Sequence, residues 1–441
     1  MNRTELFEPM SESADRLKIH PFEGSKLNAT VRVPGSKSIT NRALIIAALA
    51  EGKSKLKGAL DSQDTQVLIR ALNSVGIPTV HDPEKRVITV EGQTGGIPVT
   101  MAELDLANSG TSLRFLTAML SLGHGKYRLD GTARMRQRPI GDLLSALNRT
   151  GAIARSETGN GCPPVTLDAD GLDGGFVTVR GDISSQFLSG LLMALPYARN
   201  ASEIEVEGQL VSIPYVTMTL AVMKAFGVRA ENRKNKRFVI KPGHYMGREY
   251  AIEPDASAAS YFFALAAITG GKVAVEGLGK GSLQGDLDFV QVLDHMGCRA
   301  ETKESRTTVI GGPLKGVDVD MNAISDTVMT LAVVALFASG PTRIRNVAHI
   351  RHKETDRIGA VATELRKFGA EVIEHYDGLT ILPPSPERLK PAEVATYDDH
   401  RMAMSFALAG LKVPGTEILD PGCVGKTYPE YWKDLDSALG R

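Results

Sequence analysis

One phrase is written six times in this chain, and a chain built that way must fold as six like units. A helix-forming segment ends on glycine at Gly76, Gly151, Gly227, Gly297, Gly369 and Gly440, at intervals of 75, 76, 70, 72 and 71 residues. A fixed period of this kind marks repeated supersecondary units. Half a period away lies a second helix in each unit: Ser38–Ala50, Thr111–Leu122, Ser185–Ala198, Asp255–Thr269, Asp326–Ala338 and Asp399–Leu411. These second helices are apolar nearly all round, as in Ala43-Leu44-Ile45-Ile46-Ala47-Ala48-Leu49-Ala50, which predicts burial inside a domain. The glycine-ended helices, such as Arg357–Phe368, are amphipathic and are expected to cover the outside. Their terminal glycines fit C-caps, where the backbone turns left-handed.

Each unit reads as helix, strand, helix, strand, strand. Alternating runs such as Glu203-Ile204-Glu205-Val206 follow the second helix, and a hairpin such as Gly227–Arg229 with Arg237-Phe238-Val239-Ile240 follows the glycine. Six α/β units in 441 residues exceed one ordinary core, which predicts two domains of three units. The sixth unit lacks its hairpin at the C-terminus. Leu17-Lys18-Ile19 and Ala29-Thr30-Val31-Arg32-Val33 are expected to supply it. The expected domains are therefore residues 35–253, and residues 1–34 together with 254–441. The chain would cross twice, near Pro34-Gly35 and Glu253-Pro254, forming a two-strand hinge around a cleft that closes on ligand.

Composition narrows the function classes. Lys plus Arg and Asp plus Glu are both 51, so the formal charge is zero. A nucleic-acid binder usually carries a basic face, and none is expected as a partner here. Cys162, Cys298 and Cys423 are odd in number and scattered, without disulfide or zinc-ligand spacing. Met1–Ile19 lacks the apolar core of a secretory signal, and no apolar run is long enough to span a membrane. A soluble, cytoplasmic protein is expected.

The buried helices begin with anion-friendly residues, and helix N-termini offer unpaired N–H donors to anions. Pro34-Gly35-Ser36-Lys37-Ser38 adds a cation, with Arg42 one turn on. Asn108-Ser109-Gly110-Thr111 is followed by Arg114, and Gly181-Asp182-Ile183-Ser184-Ser185-Gln186 opens the third. Taken singly, Ser185 or Asp326 could be an ordinary N-cap. The run Arg134-Met135-Arg136-Gln137-Arg138-Pro139 is expected to send at most one or two arginines to a ligand. Arg351-His352-Lys353-Glu354-Thr355-Asp356-Arg357 could equally be a surface ion-pair network. Tyr397-Asp398-Asp399-His400-Arg401 heads a buried helix, so its His-Arg pair must face a cleft or pair internally. Lys426 is a plausible lone cation. With no Walker loop, dinucleotide fingerprint or metal triad, the cleft reads as built for small anions without a bound cofactor or metal.

Gly35-Ser36-Lys37-Ser38-Ile39-Thr40-Asn41-Arg42-Ala43-Leu44 closely resembles the first signature of the EPSP synthase family (3-phosphoshikimate 1-carboxyvinyltransferases). Asn108–Thr111, Arg134–Pro139, Ser184-Ser185-Gln186, Lys353–Arg357, Asp399–Ala403 and Lys426-Thr427 resemble later ones, in the family's order and spacing from Leu17 onward. The resemblance implies two domains, each of three α/β units with buried parallel helices under mixed four-stranded sheets. It implies transfer of the enolpyruvyl group of phosphoenolpyruvate to the 5-hydroxyl of shikimate 3-phosphate by a monomer. Roughly five negative charges would then meet in one cleft.

By that resemblance Lys37 lies between the substrates. Ser38 and Arg42 would hold the shikimate 3-phosphate carboxylate, and Ser184, Ser185, Ser212 and Lys353 its phosphate. Gln186, Tyr215, Asp326 and His349 complete that side, although asparagine is common in the family where His349 stands. Asn108, Gln186, Arg134, Arg357, His400, Arg401 and Lys426 would hold phosphoenolpyruvate, with Gly110 leaving room beside it. Asp326 would take the 5-hydroxyl proton, and Glu354 would protonate the methylene carbon with Lys37 nearby. Glu354, flanked by Lys353 and Arg357, would need burial or bound anions to raise its proton affinity. Glycine at the Gly110 position implies inhibition by glyphosate, a phosphoenolpyruvate mimic; Phe115 stands near that loop where proline is common. The related UDP-N-acetylglucosamine enolpyruvyltransferases instead carry Lys-Asn at the first helix and a reactive loop cysteine. An RNA phosphate cyclase-like enzyme would need a wider basic track and stacking aromatics, and aromatics are only 5%.

Overall fold

The computed structural model describes residues 15–24 and 27–441. The part of the N-terminal assignment that falls on residues 1–14, including most of the segment read for a targeting signal, lies outside the described residues. Six buried helices are present: Lys37–Leu49, Gly110–Leu120, Ser185–Ala194, Ala256–Thr269, Val328–Ala335 and His400–Gly410. They start and stop within a few residues of the expected spans. The fifth is the exception at its N-terminus, because Asn322–Thr327 forms a kinked 3-10 stretch that holds Asp326 off the helix proper.

All six unit-ending glycines have positive φ, from 77° at Gly440 to 111° at Gly297. In each case the preceding helix stops there because only a residue without Cβ takes that conformation cheaply.

The sheets show what the sequence pattern concealed. Every complete unit has a leading edge strand before its buried helix, so the order is strand, helix, strand, helix, strand, strand. In the second unit Met101–Asp105 lies parallel to His124–Asp130, which pairs antiparallel with Val165–Asp170, and Ile153–Ser156 closes the sheet. Five sheets have four strands; the sixth has three. The expected N-terminal hairpin does not form. Arg16–Lys18 pairs antiparallel with Glu417–Leu419 in the sixth unit, but Asn28–Val31 lies parallel to Lys272–Glu276 in the fourth. Asn28–Val31 takes the place of a leading edge strand, which is parallel in every other unit, and so cannot serve as a hairpin partner.

Two apolar cores result. One is built from residues between Ile39 and Ile252. The other joins Ile19, Leu27 and Val33 to residues between Ala256 and Ala438. The three buried helices of each lobe pack against one another.

The chain passes between the cores on two strands bonded to each other. Ser36 N–H donates to the Glu253 carbonyl at 2.9 Å and Asp255 N–H to the Pro34 carbonyl at 2.8 Å. The crossover strands are exchanged. Asn28–Val31 leads into the first lobe but is paired in the second lobe's sheet, and Glu249–Ala251 leads into the second lobe but pairs with Glu51–Lys57 of the first. No helix of the described residues is long and apolar enough to cross a membrane.

The glycine caps can be weighed against each other. At Gly227 (φ +98°) an added Cβ would meet nothing nearer than Met246 Cγ at 3.8 Å, whereas at Gly297 (φ +111°) it would fall on the Pro313 carbonyl oxygen. Gly227→Ala should cost the conformational term alone, about 1–2 kcal/mol, and Gly297→Ala clearly more in urea unfolding. Equal losses would mean that the Pro313 contact is of no consequence.

Candidate active site

The starts of the buried helices face the seam between the lobes. Ser36 caps the first, accepting from Ile39 N–H at 3.4 Å. Ser184 caps the third through Gln186 N–H at 3.3 Å. Asp255 caps the fourth and accepts from Lys37 N–H at 3.0 Å, tying two helix starts together across the hinge. Asp399 caps the sixth through Arg401 N–H at 2.9 Å. Ser109 makes no side-chain cap at the second.

Lys37, Ser38, Arg42, Ser185, Gln186, Ser212 and Tyr215 from the first lobe line a cleft with Asp326, Lys353, Glu354 and Arg357 from the second. The remaining expected residues stand one contact behind. Arg401 reaches Asp326 at 2.7 Å. His349 Nε2 is 3.2 Å from Ser212 Oγ. Lys426 donates to the Asn108 carbonyl at 3.0 Å. Arg134 donates to the carbonyls of Lys353 at 2.9 Å and Glu354 at 3.0 Å. Ser184 is engaged as a cap, and His400 lies buried beside Asp399.

Arg357 is the centre of the charge array. Its guanidinium meets Asp399 at 2.8 Å, Glu354 at 2.9 Å and Asp326 at 3.2 Å, with the side chain 1% exposed. Burial pushes the Glu354 carboxyl up, but Arg357, then Arg138, Lys426 and Lys37, outweigh it and hold the group well below the usual range. Burial likewise opposes ionisation of Asp326, and Arg401, Lys353, Arg357 and Lys37 overcome it. Both groups are therefore carboxylates. Burial and the neighbouring Arg401 keep His400 neutral. Burial brings Arg42 down to about 10; its guanidinium donates to Thr219 at 2.7 Å and the Ser38 carbonyl at 2.9 Å and lies 5.2 Å from the Phe115 ring centroid.

Several functional residues escaped the sequence reading. Of the three arginines in Arg134–Arg138, Arg136 pairs with Asp130 at the surface, while Arg138, 2% exposed, lines the cleft and binds the Asn108 carbonyl at 3.0 Å. Nothing in the run singles out Arg138, since the helix that follows it, Gly141–Arg149, is one of the amphipathic outer helices. Gly110 has a specific purpose here, since a Cβ would stand 2.5 Å from the Arg138 guanidinium carbon. Asp64 bridges Lys37 at 3.6 Å and Lys426 at 3.2 Å; nothing in its local sequence marks it. Several buried polar atoms of this region lack hydrogen-bond partners, including Asn108 Nδ2, both His400 ring nitrogens and Arg401 Nε. Buried polar atoms are ordinarily satisfied, so these are groups that a polar ligand or ordered water would complete.

The lobes touch at many of these residues. Ser212, held at φ +52°, donates its N–H to Asn322 Oδ1 at 3.0 Å. Tyr215 Oη reaches Asp286 and Asp326 at 3.0 and 3.2 Å. The space left inside is about 30 Å³, room for about two waters. Small phosphorylated acids can enter only if the lobes part.

Two lobes of three repeated α/β units, meeting at a buried array of cations, make up the fold of the enolpyruvyl transferases. EPSP synthase from Acinetobacter baumannii matches with a TM-score of 0.79 at 26% identity, covering 96% of this chain and 98% of that one. An enolpyruvyl transferase from Streptomyces tendae shares the fold, with a TM-score of 0.77 at 22% identity over 96% of this chain and 97% of that one. Within that class the sequence is more specific. The profile of EPSP synthase (3-phosphoshikimate 1-carboxyvinyltransferase) matches residues 22–435. The 3-phosphoshikimate 1-carboxyvinyltransferase of Nostoc punctiforme is 50% identical over 414 residues, covering 93% of this chain and 96% of that protein. The chloroplastic 3-phosphoshikimate 1-carboxyvinyltransferase of Brassica napus is 46% identical over 447 residues, covering 97% and 86%. The chain belongs to the EPSP synthase family.

His349 provides a pH test of this packing. Burial, followed by the Lys353 charge, pushes its imidazole down from 6.5 to about 3. The unfolded chain binds a proton there that the folded chain refuses, so stability falls as pH drops from 6.5 towards 3. The slope is about 1.4 kcal/mol per pH unit for one proton. His349→Asn should flatten the measured stability curve by up to that amount in this window; parallel curves would mean that the folded ring accepts the proton.

Proposed function

We propose that the chain transfers the enolpyruvyl group of phosphoenolpyruvate to the 5-hydroxyl of shikimate 3-phosphate, releasing phosphate. The observation that carries this reading is the seam itself. Lys37, Arg42 and Arg138 from one lobe face Lys353, Arg357 and Arg401 from the other around two ionised carboxylates, Asp326 and Glu354. Two phosphorylated carboxylic acids supply the charge such a site needs.

Shikimate 3-phosphate lies on the side of Ser38, Arg42, Ser184, Ser185, Gln186, Ser212 and Tyr215, with Lys353 and His349 closing over it. Phosphoenolpyruvate is held by Lys37, Arg357, Arg401, Lys426 and Arg134, with Asn108, Gln186 and His400 beside it. Arg138 joins this set because it lies against Gly110. Residues 35–253 and residues 1–34 with 254–441 act as two bodies that close on both substrates and expel water. We propose that the chain acts as a monomer, as the family resemblance implies. The three cysteines are free, which fits a reducing, cytoplasmic setting.

Asp326 is ionised as it stands and takes the 5-hydroxyl proton. Glu354 must first gain a proton. Burial favours the neutral acid, and the cations that oppose it are those that phosphoenolpyruvate would neutralise. Binding therefore raises its proton affinity. Glu354 then protonates the methylene carbon, the adjacent carbon becomes cationic, and the hydroxyl oxygen attacks it. Cleavage of the bond to phosphate with loss of a methylene-carbon proton completes the transfer. Cys162 does not suit the cysteine-dependent alternative, because burial pushes its thiol up rather than towards thiolate.

The deciding assay is phosphate release from phosphoenolpyruvate that depends on shikimate 3-phosphate; release without it would reject the reading. Glu354→Gln should lower kcat by about 10²–10⁴-fold while calorimetry shows nearly unchanged shikimate 3-phosphate affinity. Loss of that affinity would reassign Glu354 to binding. Glyphosate should bind beside Gly110 and Arg138 once shikimate 3-phosphate is present. A titration under those conditions with no uptake would refute this.

A further inference from the structure

One buried carboxyl beside the site has no part in the chemistry above. Asp286 lies in the turn Gly285–Asp288 of the second lobe and is 3% exposed. Its Oδ2 is 3.0 Å from Tyr215 Oη and is also bonded by Ser257 Oγ, while its buried Oδ1 has no hydrogen-bond partner among the described residues. Among the described residues it forms no ion pair within 4.0 Å. Asp326, by contrast, has Arg401, Arg357 and Lys353 at 2.7, 3.2 and 3.7 Å.

Tyr215 Oη stands between two carboxyl oxygens, Asp286 Oδ2 at 3.0 Å and Asp326 Oδ2 at 3.2 Å. A phenol has a single hydrogen, so it cannot donate to both. For both contacts to be hydrogen bonds, one carboxyl must itself carry a proton. We propose that Asp286 is that carboxyl and acts as a positioning residue: it donates from Oδ2 to Tyr215 Oη, and the hydrogen of Tyr215 is thereby aimed at Asp326 Oδ2.

The surroundings agree. Burial and the charge of Asp326 push Asp286 up to about 6, against the lowering effects of Ser257, Arg401 and Tyr215. Asp326 Oδ2 is then bonded by Tyr215 and Arg401, while Oδ1 faces Arg357 at 3.2 Å and Lys353 at 3.7 Å, so both oxygens of the base are held in a fixed orientation. Tyr215 comes from the first lobe and both carboxyls from the second. The chain of bonds therefore assembles only when the lobes meet, and the base is oriented only in the closed enzyme. The inference rests on Asp326 being the base in the proposed function.

Infrared spectroscopy of the full chain with shikimate 3-phosphate bound tests the proton directly. Below about pH 6 a protonated-carboxyl C=O band should appear in the wild type and vanish in Asp286→Asn. A wild type without the band, or a band unchanged in the variant, would overturn the proposal. Kinetics test the route. Asp286→Ala should lower kcat by about tenfold or more with the KM for shikimate 3-phosphate within about twofold. Asp286→Asn, whose amide can still donate to Tyr215 Oη, should recover most of that loss. In a Tyr215→Phe background Asp286→Ala should cost nothing further. Equal losses for Asn and Ala, or fully additive losses with Tyr215→Phe, would leave Asp286 a structural residue only. A wild type without phosphate release would reject the proposed function, and the infrared result would still locate the proton.

Discussion

Arg357 is the interaction on which the cleft depends. One buried guanidinium is bonded to Asp399, Glu354 and Asp326, and a charge in that position is tolerable only while its partners are in place. Asp399 also caps the helix that carries His400 and Arg401, so the same carboxylate fixes the direction of two further site residues. Asp326 adds Arg401 and Lys353 to the array. Removing Asp326 would strip Arg401 of its carboxylate at 2.7 Å, whereas Arg357 would keep Asp399 and Glu354.

The first lobe contributes its cations differently. Arg42 is held by hydroxyls and carbonyls, and Arg138 by Asn108. Neither has a tightly bound carboxylate. Their charge is therefore available to an anion, whereas the second lobe's cations are already partly balanced. Two kinds of surface meet at the seam: one in which carboxylates are embedded among cations, and one that offers hydroxyls, helix starts and arginines with, among the described residues, no carboxylate nearer than the 4.0 Å from Arg138 to Glu354. That difference matches the proposed division of labour, with proton chemistry on one face and a phosphorylated ring on the other.

Much of this was legible in the chain. The glycine period and the buried helices are local features, written in composition and spacing, and their spans agree closely with the structure. Some leading edge strands, such as Glu249–Ala251 and Asp318–Asp320, are too brief for alternation to show, whereas Met101–Asp105 and Gly175–Arg180 were long enough and were missed. The fate of Asn28–Val31 was misread for a related reason: a strand's pattern says which face is apolar, not which neighbour it joins. Charged residues at buried helix starts stood out because charge there is expensive unless it is used or paired. Asp64 and Asp286 did not, since each acquires its meaning only when segments far apart in sequence are brought together. Arg138 was hidden inside a run where the eye had no means of choosing among three arginines.

The exchanged crossover strands carry a consequence for how such a chain can change over time. Each lobe borrows an edge strand from the segment leading to the other, Glu249–Ala251 beside Glu51–Lys57 and Asn28–Val31 beside Lys272–Glu276. Neither half is a cassette that recombination could cut out at the hinge and graft elsewhere, because either cut strips a sheet of its border. The C-terminal residue, meanwhile, lies against the first described segment: Arg441 donates to the His20 carbonyl at 2.9 Å. New ends would be better tolerated at a surface turn within one lobe than at the crossover between the two cores.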